Sequence, residues 1–244
     1  MAEGPQAVRE ALARPELVSA LFVGESAAHR HGALLQLAAA ADVPASLLSD
    51  RDLAALSETV TPQGIVAVCV TVDVPLAEAL GTHPRLVVCC AQVRDPGNAG
   101  TVIRCADAFG ADAVILTEGS VDAYNAKTVR ASAGSIFHLP LTLTVGLAEA
   151  VDACRQGGLQ VLAADGAGEA DLDELSHTGE LARPTLWLLG NEAWGLPQEQ
   201  RRLADRVVRV QLYGAAESLN LSTAAAVCLY ATAAAQRRTA ARAG

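Results

Sequence analysis

The sequence predicts an α/β protein: a small N-terminal α/β/α unit, then a larger domain built on a mostly parallel sheet with helices on both faces. Three observations carry this. From Arg85 onward, short apolar runs alternate with helix-length segments, strand then helix, in the order a parallel sheet requires. The 244 residues are 51% hydrophobic, enough to bury a substantial core. Between the two regions, residues 71–75, TVDVP, end one β-rich run before a new helix begins, and they mark the boundary.

Residues 4–13 place Val8 and Leu12 at i, i+4 and predict a helix; residues 17–23 predict a strand. A helix over 27–41 stops ahead of Pro44, because the residue before a proline is biased away from the α region. A strand at 46–49, a helix at 50–58 opening on polar residues, and a buried strand at 64–71, GIVAVCVT, complete a unit spanning residues 1–72. The second unit, residues 76–240, opens with a helix at 76–80. Its strands at 85–93, 113–117, 138–144, 159–164, 185–189 and 207–212 alternate with helices at 98–109, 125–132, 147–155 and 198–204 and a closing helix from about Ser218. Residues 165–183 are acidic and glycine-rich and predict a surface loop with a helical turn.

A net charge of -9 argues against a protein that coats nucleic acid nonspecifically, although it leaves room for a local basic patch. Lys127 is the only lysine, and arginine is the better bidentate phosphate ligand. Six cysteines sit mainly in apolar runs without CxxC or Cys/His spacing, so the expectation is buried reduced thiols, no metal and a cytoplasmic protein. The N-terminus lacks an apolar export core, and the apolar stretch 219–235 is too interrupted to span a bilayer. No GxGxxG, P-loop or GxSxG motif occurs. The nearest glycine-rich piece, Asp165-Gly166-Ala167-Gly168, has Asp171 where the last glycine belongs.

The candidate ligand site lies at two strand ends. The runs 185–189 and 207–212 close in the loops Gly190-Asn191-Glu192 and 214–220, and loops at the C-terminal ends of neighbouring parallel strands are where such sheets hold ligands. Upstream, Asn98 is placed to cap the helix after Arg94-Asp95-Pro96-Gly97, and Arg104 lies on that helix's polar side, as a solvated charge or as an arginine aimed at an anion. Lys127 and Arg130, three apart, either clamp phosphates or solvate their helix. Ser218 and Asn220 either cap the last helix or border a pocket.

Three stretches, QVRDPGNAGTVIRCADAFGAD at 92–112, LWLLGNEAWGLP at 186–197 and VRVQLYGAAESLNLSTAAAVCLY at 208–230, together resemble the three motifs of the SpoU (TrmH) family of RNA 2′-O-ribose methyltransferases, in the SPOUT superfamily. The segment YNAKTVRASAGSIFHLP resembles the piece between the first two motifs, and residues 1–72 are similar to the ribosomal-protein-like substrate-binding domain of many members. Gln211 departs from the proline many members carry. The resemblance implies a deep trefoil knot, a rare exception to unknotted topology, that holds S-adenosylmethionine. Cofactor contacts would fall on Leu189, Gly190, Val210, Leu212 and Leu219; Gly190 lacks a Cβ, which lets backbone approach a ligand.

The family's catalytic positions fall on Asn98, Arg104, Glu192, Ser218 and Asn220, with no metal. A guanidinium holds its proton too firmly to be an ordinary general base, so Arg104 is either strongly desolvated or chiefly holds the nearby phosphate. The resemblance also implies a homodimer acting on structured RNA, ribosomal rather than transfer RNA. The rival reading is a non-catalytic RNA- or ribosome-binding protein on the same fold.

Overall fold

The computed structural model describes residues 1–243, which form two sheets. The first unit runs β1 (Ala2–Glu3), α1 (Pro5–Leu12), β2 (Val18–Gly24), α2 (Gly32–Ala40), β3 (Ala45–Leu48), α3 (Asp50–Leu56) and β4 (Ile65–Cys69). Its sheet has the order β1-β4-β2-β3, with β2 and β3 parallel and β4 antiparallel to both its neighbours. The start of α3 follows from its sequence: Ser49 Oγ accepts the Asp52 N–H at 3.1 Å.

The second unit runs α4 (Leu76–Leu80), β5 (Leu86–Cys90), α5 (Pro96–Phe109), β6 (Ala113–Thr117), α6 (Ala126–Ser132), β7 (Leu141–Val145), α7 (Leu147–Gln156), β8 (Gln160–Ala164), β9 (Ala170–Asp171), α8 (Leu172–Thr178), β10 (Thr185–Leu189), α9 (Gln198–Arg201), β11 (Arg206–Arg209) and α10 (Leu221–Ala243). The seven strands lie in the order β7-β6-β5-β10-β8-β11-β9, and every neighbouring pair is parallel. Strands β5, β6 and β10 are buried along their whole length, as expected when helices cover both faces. Alternation does the sorting. Leu86, Val88, Cys90 and Trp187 enter the core shared with α5 and α10, while Val87, Cys89, Leu186 and Leu188 enter the core under α4 and α7. The fully buried Trp187 donates its indole N–H to Thr232 at 2.9 Å, which ties α10 to the sheet centre.

Several boundaries differ from the sequence expectations, each for a local reason. The strand expected at 138–144 starts only at Leu141, because Ser135–Phe137 form a 3₁₀ turn entered through Gly134 at φ +100°. The strand expected over 207–212 ends at Arg209, leaving residues 210–220 as an irregular loop, and the last helix starts at Leu221. The stretch 165–183 is more ordered than a loop, since it contains β9 and α8. The two strands that end in the candidate loops are not neighbours: β8 lies between β10 and β11.

The two units meet along α6 and the 3₁₀ turn after it. Arg130 Nη1 lies 3.3 Å from Glu3 Oε2, Arg14 Nη1 donates to the Phe137 carbonyl at 3.1 Å, and His138 sits between Asp107 (2.8 Å) and Glu10 (3.4 Å). The connecting segment is pinned by Tyr124, whose hydroxyl accepts the N–H groups of Val72 (2.7 Å) and Asp73 (2.9 Å) and donates to Asp73 Oδ1 at 2.6 Å. Burial first, and then the neighbouring carboxylate, push the Tyr124 phenol up to about 12, so it stays protonated.

Candidate active site

The C-terminal ends of β8, β10 and β11 open into a cavity of about 610 Å³. Leu189 and Gly190 line it from the end of β10, Val210 and Leu212 from the loop after β11, and Leu219 from the approach to α10. Glu192, Ser218 and Asn220 line it as well; Asn98 and Arg104 do not. The end of β8 supplies a third wall, Ala164-Asp165-Gly166, from the glycine-rich piece that lacks the last glycine of a dinucleotide loop. The signal was there, since this is a strand end followed by a glycine. Only the strand order that puts β8 between β10 and β11 gives it meaning. Asn191 and Glu217, which belong to the two candidate loops, and Arg209, which the sequence did not point to, also line the cavity.

Gly190 is required for a reason other than ligand approach. A Cβ there would stand 2.3 Å from the Gly195 carbonyl carbon and 2.6 Å from Leu196 N, so the chain folds back onto it. That turn is closed by the Asn191 and Gly195 backbones, paired at 3.0 and 2.8 Å. Asn191 is buried. Its side chain donates to the Gln92 carbonyl at 2.7 Å and accepts the Ala193 N–H at 2.8 Å. Gln92 itself is held at φ +58°, an uncommon conformation for a non-glycine residue, where β5 leaves the sheet for the site.

The first helix of the site begins earlier than the sequence suggested. Pro96 occupies its first turn and Asp95, not Asn98, is the N-cap: Asp95 Oδ1 accepts the Asn98 N–H at 2.8 Å. This frees the Asn98 side chain. Its Nδ2 donates to Glu192 Oε1 at 3.1 Å, and its Oδ1 accepts from Asn220 Nδ2 at 3.0 Å. Glu192 also accepts the N–H groups of Arg94 and Asp95, each at 3.1 Å. Asn220 caps α10, its Oδ1 accepting the Ser222 N–H at 2.9 Å. Partial burial pushes the Glu192 carboxyl up, but the hydrogen bonds from Arg94, from its own backbone, from Asn98 and from Asp95 outweigh this and hold it below the ordinary glutamate range. Glu192 is therefore an anion at neutral pH.

The remaining expected residues lie apart from this line. Arg104 is exposed on α5 and meets no carboxylate among the described residues. Ser218 is exposed on the loop and makes no side-chain hydrogen bond among the described residues. Lys127 pairs with Asp95 at 2.9 Å, next to the first motif, whereas Arg130 is engaged by Glu3 at the seam between the units. One helix face thus sends its two cations to different partners. Cys90, at the end of β5, is pushed up to about 12 by burial and then by the Glu192 charge, which leaves a neutral thiol.

Residues 85–230 match the model of the SpoU rRNA Methylase family, and residues 1–74 match that for RNA 2′-O ribose methyltransferase substrate binding. The chain is 36% identical over 228 residues to the 23S rRNA (guanosine(2553)-2′-O)-methyltransferase of Bacillus subtilis (strain 168), covering 93% of this chain and 86% of that protein. It is 39% identical over 140 residues to the 23S rRNA (uridine(2479)-2′-O)-methyltransferase of Streptomyces viridochromogenes, a match spanning 55% of this chain and 47% of that one. Among solved structures, the SpoU methyltransferase AviRb of Streptomyces viridochromogenes in complex with AdoMet superposes with a TM-score of 0.80 at 29% identity, over 98% of this chain and 90% of that one. The AdoMet-bound rRNA methyltransferase of Sinorhizobium meliloti gives 0.79 at 29% identity, over 97% and 86%. With its parallel sheet, two motif segments lining one cavity and the first motif segment hydrogen-bonded to both of them, the chain belongs to the SpoU rRNA methylase family.

Proposed function

We propose that the chain is an enzyme that transfers a methyl group from S-adenosylmethionine to the 2′-hydroxyl of a ribose in structured ribosomal RNA. The observation that carries this reading is the hydrogen-bonded line from Glu192 through Asn98 to Asn220, which draws one residue from each motif segment to the mouth of the cavity. Ribosomal rather than transfer RNA is favoured because the named relative matching along both units, that of Bacillus subtilis, acts on 23S rRNA.

The cavity suits the cofactor. Its volume lies within the range of roughly 300–1,000 Å³ usual for small-molecule sites, and its wall combines apolar side chains such as Leu189, Val210 and Leu219 with polar ones such as Asp165, Asn191 and Gln211. We assign Leu189, Gly190, Val210, Leu212 and Leu219 to its binding. When bound, S-adenosylmethionine supplies a methyl group on a positively charged sulfur, open to in-line displacement by the ribose oxygen. The chain's own contribution is alignment. Asn98 and Asn220 are fixed by their mutual bond, Glu192 anchors both to the loop after β5, and Ser218 offers a hydroxyl at the cavity wall. The exposed Arg104 suits holding the phosphate beside the target ribose; acting as a desolvated base would require RNA or a second copy to cover it.

In this reading residues 1–72 bind RNA and 76–240 catalyse, the C-terminal segment of the catalytic unit threads a loop to form a trefoil knot, and Lys127 and Arg130 face RNA. The enzyme works in the cytoplasm as a homodimer. Six free thiols and the lack of any described helix long and apolar enough to cross a membrane accord with the location. The exposed Tyr230, edge-on to Phe109 at 5.6 Å, leaves an aromatic surface on α10 for a second copy. The test is calorimetric titration with S-adenosylmethionine together with methyl transfer to an unmodified 23S rRNA transcript. Micromolar cofactor binding and a label on a ribose 2′-oxygen are expected; no cofactor binding overturns the reading.

A further inference from the structure

Residues 1–74 hold four arginines and nine acidic residues, so this unit should repel RNA on average. Its surface is nevertheless divided. A groove of about 730 Å³ between α1 and the start of α2 is lined by Arg9, Arg30 and His31 and by the segment 61–63, and no acidic residue borders it. The cationic side chains of Arg9 and Arg30 are exposed. The groove floor is held in shape from beneath: the buried His31 places Nε2 2.8 Å from the Gln63 carbonyl, to which Arg30 Nη2 also donates at 3.4 Å.

The groove continues toward the catalytic unit. Thr61 and Gln63, which line it, also line a second hollow of about 260 Å³ whose far wall is Arg130 of α6. The carboxylate there, Glu3, is already occupied by Arg130, Ser57 and Thr59. One turn earlier on α6, Lys127 pairs with Asp95, the cap of the helix that carries Asn98. Arginine, hydroxyl and amide donors thus follow one another from the N-terminal unit to the first motif.

We propose that Arg9 and Arg30 bind backbone phosphates of the substrate RNA at a point remote from the modified ribose, and that the RNA then passes residues 61–63 toward Arg130 and Lys127. The proposal rests on the methyltransferase reading and adds where the RNA lies. A chain of net charge -9 needs its cations concentrated along the contact, and guanidinium groups match phosphate geometry without reading bases.

The test compares Arg9→Gln/Arg30→Gln, its Glu counterpart and the control Arg51→Glu, an exposed arginine outside the groove. Each is assayed for binding to a 23S rRNA transcript across a salt series. Losing two phosphate contacts should flatten the log–log salt dependence by about 1.4–1.8 and weaken binding about tenfold at moderate salt. The KM for RNA should rise with kcat near the parent value, and Arg51→Glu should behave as the parent. Unchanged affinity and salt slope in the folded double variants would overturn the groove. Cofactor calorimetry on the same proteins reports separately on the methyltransferase reading, because a parent that fails to bind S-adenosylmethionine contradicts that reading whatever the groove variants do.

Discussion

Asn98 Oδ1 accepts a hydrogen bond from Asn220 Nδ2 at 3.0 Å, across 122 residues of sequence. Neither amide is free to turn. Asn98 spends its donor on Glu192, and Asn220 spends its oxygen on the first turn of α10, so the direction of the bond between them is set by their other partners. Asn98→Ala and Asn220→Ala should therefore each slow single-turnover methyl transfer. The double variant should lose less than the sum of the two, with a coupling of about 0.5–3 kcal/mol. Strictly additive losses would show that the two residues act separately.

Glu192 accepts N–H donors from Arg94, Asp95 and Asn98, and the amide of Glu192→Gln would turn one of its own donors toward them or forfeit a contact. Because the group faces solvent in part, the cost should sit at the low end for charged hydrogen bonds, about 1.5 kcal/mol, or about a tenfold drop in rate. The pH dependence follows from the sign of the shift. A carboxyl lowered in the folded state contributes stability that is fully present above its unfolded value of about 4.3 and is lost as pH falls through the lower folded value. The Glu192 contribution should accordingly be flat from about pH 5 upward. An acid limb in stability that persists unchanged in Glu192→Gln would assign that limb to another group.

Gly190 and Gly166 both line the cavity, but only one is crowded. A Cβ on Gly190 collides with the backbone of Gly195 and Leu196, while one on Gly166 meets nothing within 4 Å. Gly190→Ala should cost about 1–3 kcal/mol of stability as the turn is pushed outward, and should weaken cofactor binding with it. Gly166→Ala should keep the parent's stability in urea titration. Equal stability for both variants would mean that the turn yields without cost.

Much of the fold was legible because local signals agreed with the tertiary arrangement. The apolar runs of β6 and β10 have the length and composition of buried strands, and their ends fall where the sequence puts them. Motif residues were legible as types. What was not legible was partnership. Asp95 and Asn98 are both good helix caps; Pro96, at the first helical position, decides for Asp95, and the Asn98 side chain is thereby released to the site. The role of Asp165-Gly166 depends on β8 lying between β10 and β11, an order no local pattern encodes. Arg130 and Lys127 share a helix face, yet Glu3, from the far end of the chain, claims one of them.

Lys127 raises a question that an acid titration can answer: does it support the site through Asp95, face RNA, or do both? The hydrogen bond from Lys127 is the largest influence on Asp95 and, with the Asn98 N–H, holds its carboxyl below the ordinary aspartate range. Stability from this pair should be fully present above the unfolded aspartate value of about 3.9 and should disappear as pH falls through the lower folded value. Lys127→Met should therefore be less stable than the parent at neutral pH, by a few tenths of a kcal/mol given the exposure of the pair, roughly the value of a surface ion pair. The two proteins should converge at the acid end. If Lys127 also steadies Asn98, kcat should fall in Lys127→Met even at saturating RNA. A pure phosphate contact would instead raise KM for RNA and leave kcat alone. A variant with parental stability at every pH and parental kcat would remove Lys127 from the support of the site.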